Sequence, residues 1–258
     1  MTMKLSRRIK KDVVITSVDN VNFSDNYDVI VAGLGTAGAI AAIAAARYGL
    51  KVLGIDRLNC MGGMMTAGAV TGYYFGSKGG LYEEIDKKIS QYVGNVYTGG
   101  SGTDSRKYVL EQEAVRYGVK LSYETTITGV FLEGKTVKGI QCVNNEGMKT
   151  VGCKVLIDCT GDAEICAMMG CAAYQGRDLD GKTQPFTSVK VSIIGNKISK
   201  TNFDSGWVDQ TDGWDLTNAI ITAHACHVKD KYDSSERLLY LAPLIGIREG
   251  RLIKGKEM

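Results

Sequence analysis

Residues 27–70 read YDVIVAGLGTAGAIAAIAAARYGLKVLGIDRLNCMGGMMTAGAV, and this stretch decides the fold. It opens with an apolar run, Val29 to Ala32, short and β-branched enough for a buried strand. Gly33, Gly35 and Gly38 follow at G-x-G-x-x-G spacing. An Ala-rich segment from Ala37 to Tyr48 predicts a helix that stops at Gly49, and Lys51 to Ile55 predicts a second strand ending in Asp56. Each glycine has its own task. Gly33 permits a tight strand-to-helix turn, Gly35 lets a pyrophosphate approach the backbone, and Gly38 lets helix and strand pack closely. The helix start, with Thr36 and Ala37, offers N–H groups and a positive dipole end to phosphates. Asp56 is placed to accept hydrogen bonds from ribose hydroxyls, with Arg57 beside it. Strand, turn, helix, strand and terminal acid in this order predict a dinucleotide site.

The next segment, Cys60 to Gly68, is rich in small residues and has neither a helical nor a strand period. Its adjacent Gly62 and Gly63, followed by Met64 and Thr66, suit a chain running close along a cofactor. Here the sequence resembles the FAD-dependent oxidoreductases built on the glutathione-reductase-type flavin fold. In that family a D/E-x-x-x-x-x-G-G-M-x-T-x-G run follows the second strand and lines FAD. The resemblance continues downstream. Three β-rich stretches, Val119–Val130, Thr136–Val143 and Thr150–Ile157, are separated by turns at Glu133–Lys135 and Asn144–Gly147. They look like the family's inserted three-stranded meander, which would bring the Ile127 backbone to the adenine. Asp158-Cys159-Thr160-Gly161-Asp162 resembles the family's I-D-A-T-G-D run beneath FAD, which implies cofactor roles for Thr160, Gly161 and Asp162. Gly176-Arg177-Asp178 with Gln184-Pro185 resembles a G-R-x…Q-P segment entering the substrate domain. Ile245 to Ile253 resembles I-G-x-R-E-S-R-R-I, with Gly250 in place of Ser and Leu252 in place of an Arg.

The expected architecture is α/β: a Rossmann-like FAD/NAD(P)-binding three-layer β/β/α fold with an inserted meander and part of a substrate or cap domain. Residues 1–26 read as an N-terminal tail or edge strand, 27–171 as the FAD-binding domain and 172–258 as the partial substrate domain. Asp104–Tyr117 predicts an amphipathic helix with Tyr108, Leu110 (or Val109), Ala114 and Val115 inward. Tyr97–Gly102 reads as a flexible loop before it. The family's returning C-terminal G-R-x-x-S strand and helix have no counterpart before Met258. The expectation is therefore a truncated or split flavoprotein, closed by a further segment or a second polypeptide.

Composition narrows the function classes. With 44% apolar residues, a chain of 258 residues can bury a substantial core. Its 31 basic and 28 acidic residues leave a net charge of +3, which gives no reason to expect nucleic-acid or membrane partners. Ser6-Arg7-Arg8 is followed by residues too acidic for an export signal's apolar core, so a cytoplasmic location is expected. The seven cysteines lack any C-x-x-C pair, and position 65 is Met where disulfide reductases of this superfold carry a second redox Cys. His224, Cys226 and His227 lie on one predicted helix, Asp215–Val228, but Cys226 points away from the face the histidines share, so no metal is expected.

The resemblance also brings forward Arg248 and Arg251 as catalytic candidates that grip a substrate carboxylate, three residues apart and on one side of a helical start. A structural ion-pair cluster explains them equally well. Arg177 and Tyr73, Tyr74 and Tyr174 are secondary candidates. The leading expectation is an FAD enzyme moving hydride between a small acid or polyol and flavin N5. The alternatives are a non-catalytic dinucleotide-binding fragment and a thiazole-synthase-like protein acting on bound NAD.

Overall fold

The computed structural model describes residues 2–6, 13–17, 21–72, 79–96, 102–175, 179, 186–209, 212–229, 235–247 and 251–254. The chain divides into two compact units, one of residues 1–61, 112–175 and 251–258, the other of 62–111 and 176–250.

The first unit is built on a sheet of eight strands in the order β2-β1-β6-β7-β8-β3-β4-β5 among the described residues. They are β1 (Thr2–Ser6), β2 (Val13–Ser17), β3 (Asp25–Ala32), β4 (Val52–Ile55), β5 (Lys120–Ser122), β6 (Thr126–Glu133), β7 (Thr136–Asn144) and β8 (Gly147–Asp158). Strands β8, β3, β4 and β5 are mutually parallel. Helix α1 (Thr36–Arg47) makes the β3-to-β4 crossover. Ala39, Ala42, Ile43 and Ala46 form its buried face, and the Ala side chains let it lie close to the sheet. Ile30, Leu53, Ile55, Ile140 and Val151 form one core cluster of this unit, each of the larger ones worth about 1.5–3 kcal/mol of burial.

Strands β6, β7 and β8 form the antiparallel meander. Strand β8 is shared: Gly147–Gly152 pair with β7, while Val151–Asp158 pair with β3. One long strand thus carries the chain from the meander into the parallel sheet. The N-terminal segment forms a hairpin, β1 with β2, and β1 pairs with β6. The first unit also holds the short helix α4 (Glu164–Met168) and a two-stranded ribbon of β9 (Ala173–Gln175) and β13 (Arg251–Ile253).

The stretch expected as one strand from Val119 to Val130 is instead two. Strand β5 joins the parallel sheet, and the chain then turns through Glu124 at φ 49°. The turn is held where Glu124 N–H donates to Leu58 O (3.2 Å) and Thr125 N–H donates to Asp56 O (3.0 Å). A continuous apolar run conceals this break because the bonds that cause it come from far along the chain.

The second unit contains α2 (Gly80–Val96), a three-stranded antiparallel sheet in the order β11-β10-β12, and α5 (Gly213–Lys229). Its strands are β10 (Phe186–Ile194), β11 (Lys197–Gly206) and β12 (Glu236–Leu241). Phe186, Val208, Ala219 and Ala223 form a core under α5, and Ala69, Val189, Val191 and Ala242 form another. Helix α3 (Thr103–Arg116) runs across the division of the chain. Val109, Leu110 and Ala114 are buried on it, but Tyr108 is 43% and Val115 67% exposed, which corrects two of its expected inward positions. The polar Arg106 and Glu113 occupy the buried stripe instead.

The expected loop Tyr97–Gly102, apart from Gly102, lies outside the described residues, as do Gly176–Asp178, Gln184 and Pro185. Among the described residues no helix is long and apolar enough to cross a membrane.

Candidate functional site

Strand β3 delivers the chain into Gly33 at φ 85°, a left-handed turn that a side chain would strain. A Cβ on Gly33 would also sit 2.5 Å from the Cys159 carbonyl oxygen, at the end of β8. A Cβ on Gly38 would collide with the Gly33 carbonyl oxygen. Gly33 thus packs the turn against the backbone that follows β8, and Gly38 packs the helix against the turn itself. Gly35 differs: nothing lies within 4 Å of where its Cβ would be.

Gly35 is the N-cap of α1 and brings no side-chain cap, and the first turn carries no acidic residue. Thr36 and Ala37 begin the helix there. An open face at an uncapped helix start, with positive dipole and no competing carboxylate, suits a pyrophosphate.

Asp56 follows β4 and is 9% exposed. Leu34 N–H donates to its Oδ2 at 2.5 Å, and Leu58 N–H donates to Oδ1 at 2.8 Å. The carboxylate thereby fixes the glycine turn and the segment after β4 together. A carboxylate has about four acceptor positions, so ribose hydroxyls can still bond to it. Arg57 is exposed and pairs with Glu164 at 3.7 Å. Ile127 is half-buried in β6, opposite Cys142 of β7 and beside a bulge before Gly129.

At the end of β8, Asp158 organises the next loop. Its Oδ1 accepts from Thr160 N–H (3.1 Å) and Thr160 Oγ1 (2.7 Å), and its Oδ2 accepts from Cys166 N–H (3.0 Å). Thr160 Oγ1 in turn accepts from Glu164 N–H at 2.9 Å. Gly161 has φ 85° with no atom near its missing side chain, and Asp162 is 9% exposed. The first unit thus brings Gly33, Gly35, Thr36, Ala37, Gly38 and Asp56 onto one β-α-β unit, and carries Thr160–Asp162 at the end of the neighbouring strand. Sequence reasoning missed Asp158 as the organiser, although an Asp two before a Thr-Gly is a turn signal.

In the second unit Gly62 (φ 98°) and Gly63 (φ 54°) open a compact turn, a 3₁₀ stretch over Gly63–Met65. Thr66 N–H and Gly68 N–H both donate to Gly63 O, at 3.0 and 3.2 Å, and Val70 N–H donates to Met64 O at 2.8 Å. This segment has internal structure where the sequence showed no period.

A cavity of about 490 Å³ in the same unit is lined by Thr71, Tyr82, Asp86, Ser90 and Arg106 among others. Arg106 is buried and its Nη2 lies 2.6 Å from Asp86 Oδ1. Lys200 Nζ donates to Thr71 Oγ1 at 2.8 Å. Burial, and then the nearby Arg106 charge, lower the Lys200 ammonium to about 8, against an opposing pull from Asp104. None of these cavity residues was singled out from sequence.

Arg248, Tyr73, Tyr74 and Arg177 lie outside the described residues. Arg251 starts β13, opposite Gln175, so it belongs to a strand rather than the expected helical start. Strand pairing to β9 outweighs the helical spacing. Tyr174 is 56% exposed on β9. On α5, His224 is exposed while His227 is buried with its ring edge-on to Phe203, and no cluster of three metal-binding side chains occurs among the described residues.

The signature of a family described as FAD dependent oxidoreductase matches residues 28–237. Among curated proteins, the chain is 28% identical over 180 residues to a thiamine thiazole synthase of Sulfolobus acidocaldarius, covering 64% of this chain and 66% of that protein. It is 28% identical over 211 residues to a digeranylgeranylglycerophospholipid reductase of Methanosarcina acetivorans, covering 68% and 50%. The chain therefore spans between half and two thirds of the length of these relatives. Among solved structures, a geranylgeranyl bacteriochlorophyll reductase-like protein of Thermoplasma acidophilum has the same fold, with TM-score 0.53, 18% identity, and coverage of 86% of this chain and 66% of that one. CabE, an aromatic hydroxylase from angucycline biosynthesis, has TM-score 0.53 at 13% identity, covering 90% and 54%. The signature match covers most of the chain and contains both the glycine turn and the Asp158 loop. The chain belongs to the FAD dependent oxidoreductase family, and its cofactor is FAD.

Proposed function

We propose that this chain belongs to an enzyme that transfers hydride between a small organic substrate and FAD. The observation that carries the reading is the open, uncapped face at Gly35, flanked by two glycines packed against backbone. In this reading the N–H groups of Gly35, Thr36 and Ala37 hold the pyrophosphate, and Asp56 binds the adenosine ribose with Arg57 near its edge. The Ile127 backbone faces the adenine. Gly62, Gly63, Met64 and Thr66 on one side of the sequence, and Thr160, Gly161 and Asp162 on the other, hold the remainder of the cofactor.

When bound, FAD supplies a two-electron acceptor at N5. The chain's part is to position the substrate and exclude water. Arg248 and Arg251 are the proposed grips for a substrate carboxylate, because guanidinium keeps its charge and offers paired donors. The polar cavity of the second unit, with Arg106 at its wall, supports a small polar or acidic substrate. The odd cysteine count without C-x-x-C pairing supports a cytoplasmic location.

An absorbance spectrum of the purified chain before and after addition of FAD tests the reading. Flavin bands that co-elute with the chain and bleach on addition of a small acid or polyol support it; flavin that stays oxidised with every such substrate contradicts it.

A further inference from the structure

Helix α4 ends in a Schellman motif. Gly170 N–H donates to Ala167 O and Cys171 N–H donates to Cys166 O, both at 3.0 Å, with Gly170 at φ 78° as the left-handed residue. This motif folds its sixth residue back onto its first, and a contact between the side chains at those two positions frequently accompanies it. Here both positions are cysteines, joined through the backbone by the Cys171 N–H bond to the Cys166 carbonyl. Cys171 is exposed and Cys166 is partly covered. The Cys166 backbone is anchored as well, through its N–H bond to Asp158 Oδ2.

We propose that Cys166 and Cys171 are an oxidisable dithiol, which closes to a disulfide when a hydroperoxide serves as two-electron oxidant. The backbone bond holds the two residues side by side, so closure requires only rotation of short side chains about a turn that the backbone fixes. Burial, and then the neighbouring Asp158 carboxylate, push the Cys166 thiol up to about 12. Cys171, at the surface, therefore meets the oxidant first. Its sulfur attacks the peroxide oxygen and the O–O bond breaks, giving a Cys171 sulfenic acid and releasing water or an alcohol. The Cys166 sulfur then displaces the sulfenic hydroxyl; the S–S bond forms, the S–O bond breaks, and the Cys166 proton leaves with that hydroxyl as water. Two thiols give up two electrons and two protons, and the hydroperoxide receives them. The chemistry requires no flavin, so it stands apart from the cofactor reading.

The test uses the full chain, reduced, desalted and treated with equimolar hydrogen peroxide, then alkylated and weighed. Of seven cysteines, two should lose their reactivity together, with loss of two hydrogens located between 166 and 171 by fragmentation. Cys159→Ser, on the same tryptic peptide, should behave as the wild type, and Cys171→Ser should form no bridge. In Cys166→Ser the Cys171 sulfenic acid lacks its resolving thiol and should be trapped by dimedone, whereas the wild type should not. Retention of all seven thiols, a bridge to Cys159, or over-oxidation of Cys171 without a bridge would overturn the proposal. Should Cys166→Ser fail to fold, Cys171→Ser at its exposed position decides the matter alone.

Discussion

Asp56 Oδ2 accepts the Leu34 N–H at 2.5 Å, so a single carboxylate joins the end of β4 to the glycine turn that follows β3. Its other oxygen accepts Leu58 N–H, and the side chain is nearly enclosed. The acid that resemblance assigns to ribose recognition thus also shapes the turn beside it. Hydrogen bonds to charged groups contribute about 1.5–3 kcal/mol each. Asp56→Ala is expected to lower unfolding free energy by about 2–4 kcal/mol and FAD affinity by at least tenfold. Asp56→Asn, which keeps an acceptor oxygen, should be milder in stability. Urea unfolding and flavin-fluorescence titration of both variants measure the two effects separately.

The three turn glycines should separate fold from ligand. Gly38→Ala forces a methyl against the Gly33 carbonyl and should cost about 3 kcal/mol or more. Gly35→Ala meets open space and should leave the melting temperature within a few degrees of wild type, while weakening FAD binding by about tenfold or more. Equal damage to stability from both substitutions would contradict the assignment of Gly35 to the cofactor.

Lys200 provides a pH signature. Its ammonium is lowered to about 8 from 10.5, so between those values the unfolded chain binds more protons than the folded one. Unfolding free energy of the wild type should rise, relative to Lys200→Met, as pH goes from about 8 to 10.5, and the difference should be flat below 8. A difference with no slope across that window would mean that Lys200 is not desolvated. Chemical denaturation at several pH values reads it directly.

Within the second unit, Lys190 and Glu236 form an ion pair at 2.9 Å with side chains only 9% and 18% exposed. Lys190→Met alone should destabilise by about 3–5 kcal/mol, because it removes the cation facing a covered carboxylate. The double variant Lys190→Met/Glu236→Met should recover most of that loss. A double-mutant cycle on denaturation midpoints gives the coupling.

What the sequence revealed follows from where its signals are local. The β3-turn-α1-β4 unit was legible because glycine spacing, an Ala-rich helix and two apolar strands fall within one short stretch. The meander was legible because its turns carry Gly and Asn. Other features depended on distant partners. The break at Glu124 is set by Leu58 and Asp56, and the hairpin of β1 and β2 is placed by β6. Helix α2 was overlooked although Ile85 and Ile89, four apart and both buried, give it an inward face. Arg106 was hidden for the opposite reason: a buried arginine contradicts the apolar pattern by which an inward face is recognised. Cys166 and Cys171 match no cysteine motif, and only the helix ending at Gly170 brings them together.

The most direct measurement is calorimetric titration of the folded chain with FAD, repeated in the presence of ADP. Binding should be saturable and one-to-one, competed by ADP because both present a diphosphate to the α1 start, and weakened in Gly35→Ala. A folded chain that binds neither ligand, or binds FAD with no competition from ADP and no loss in Gly35→Ala, would contradict it.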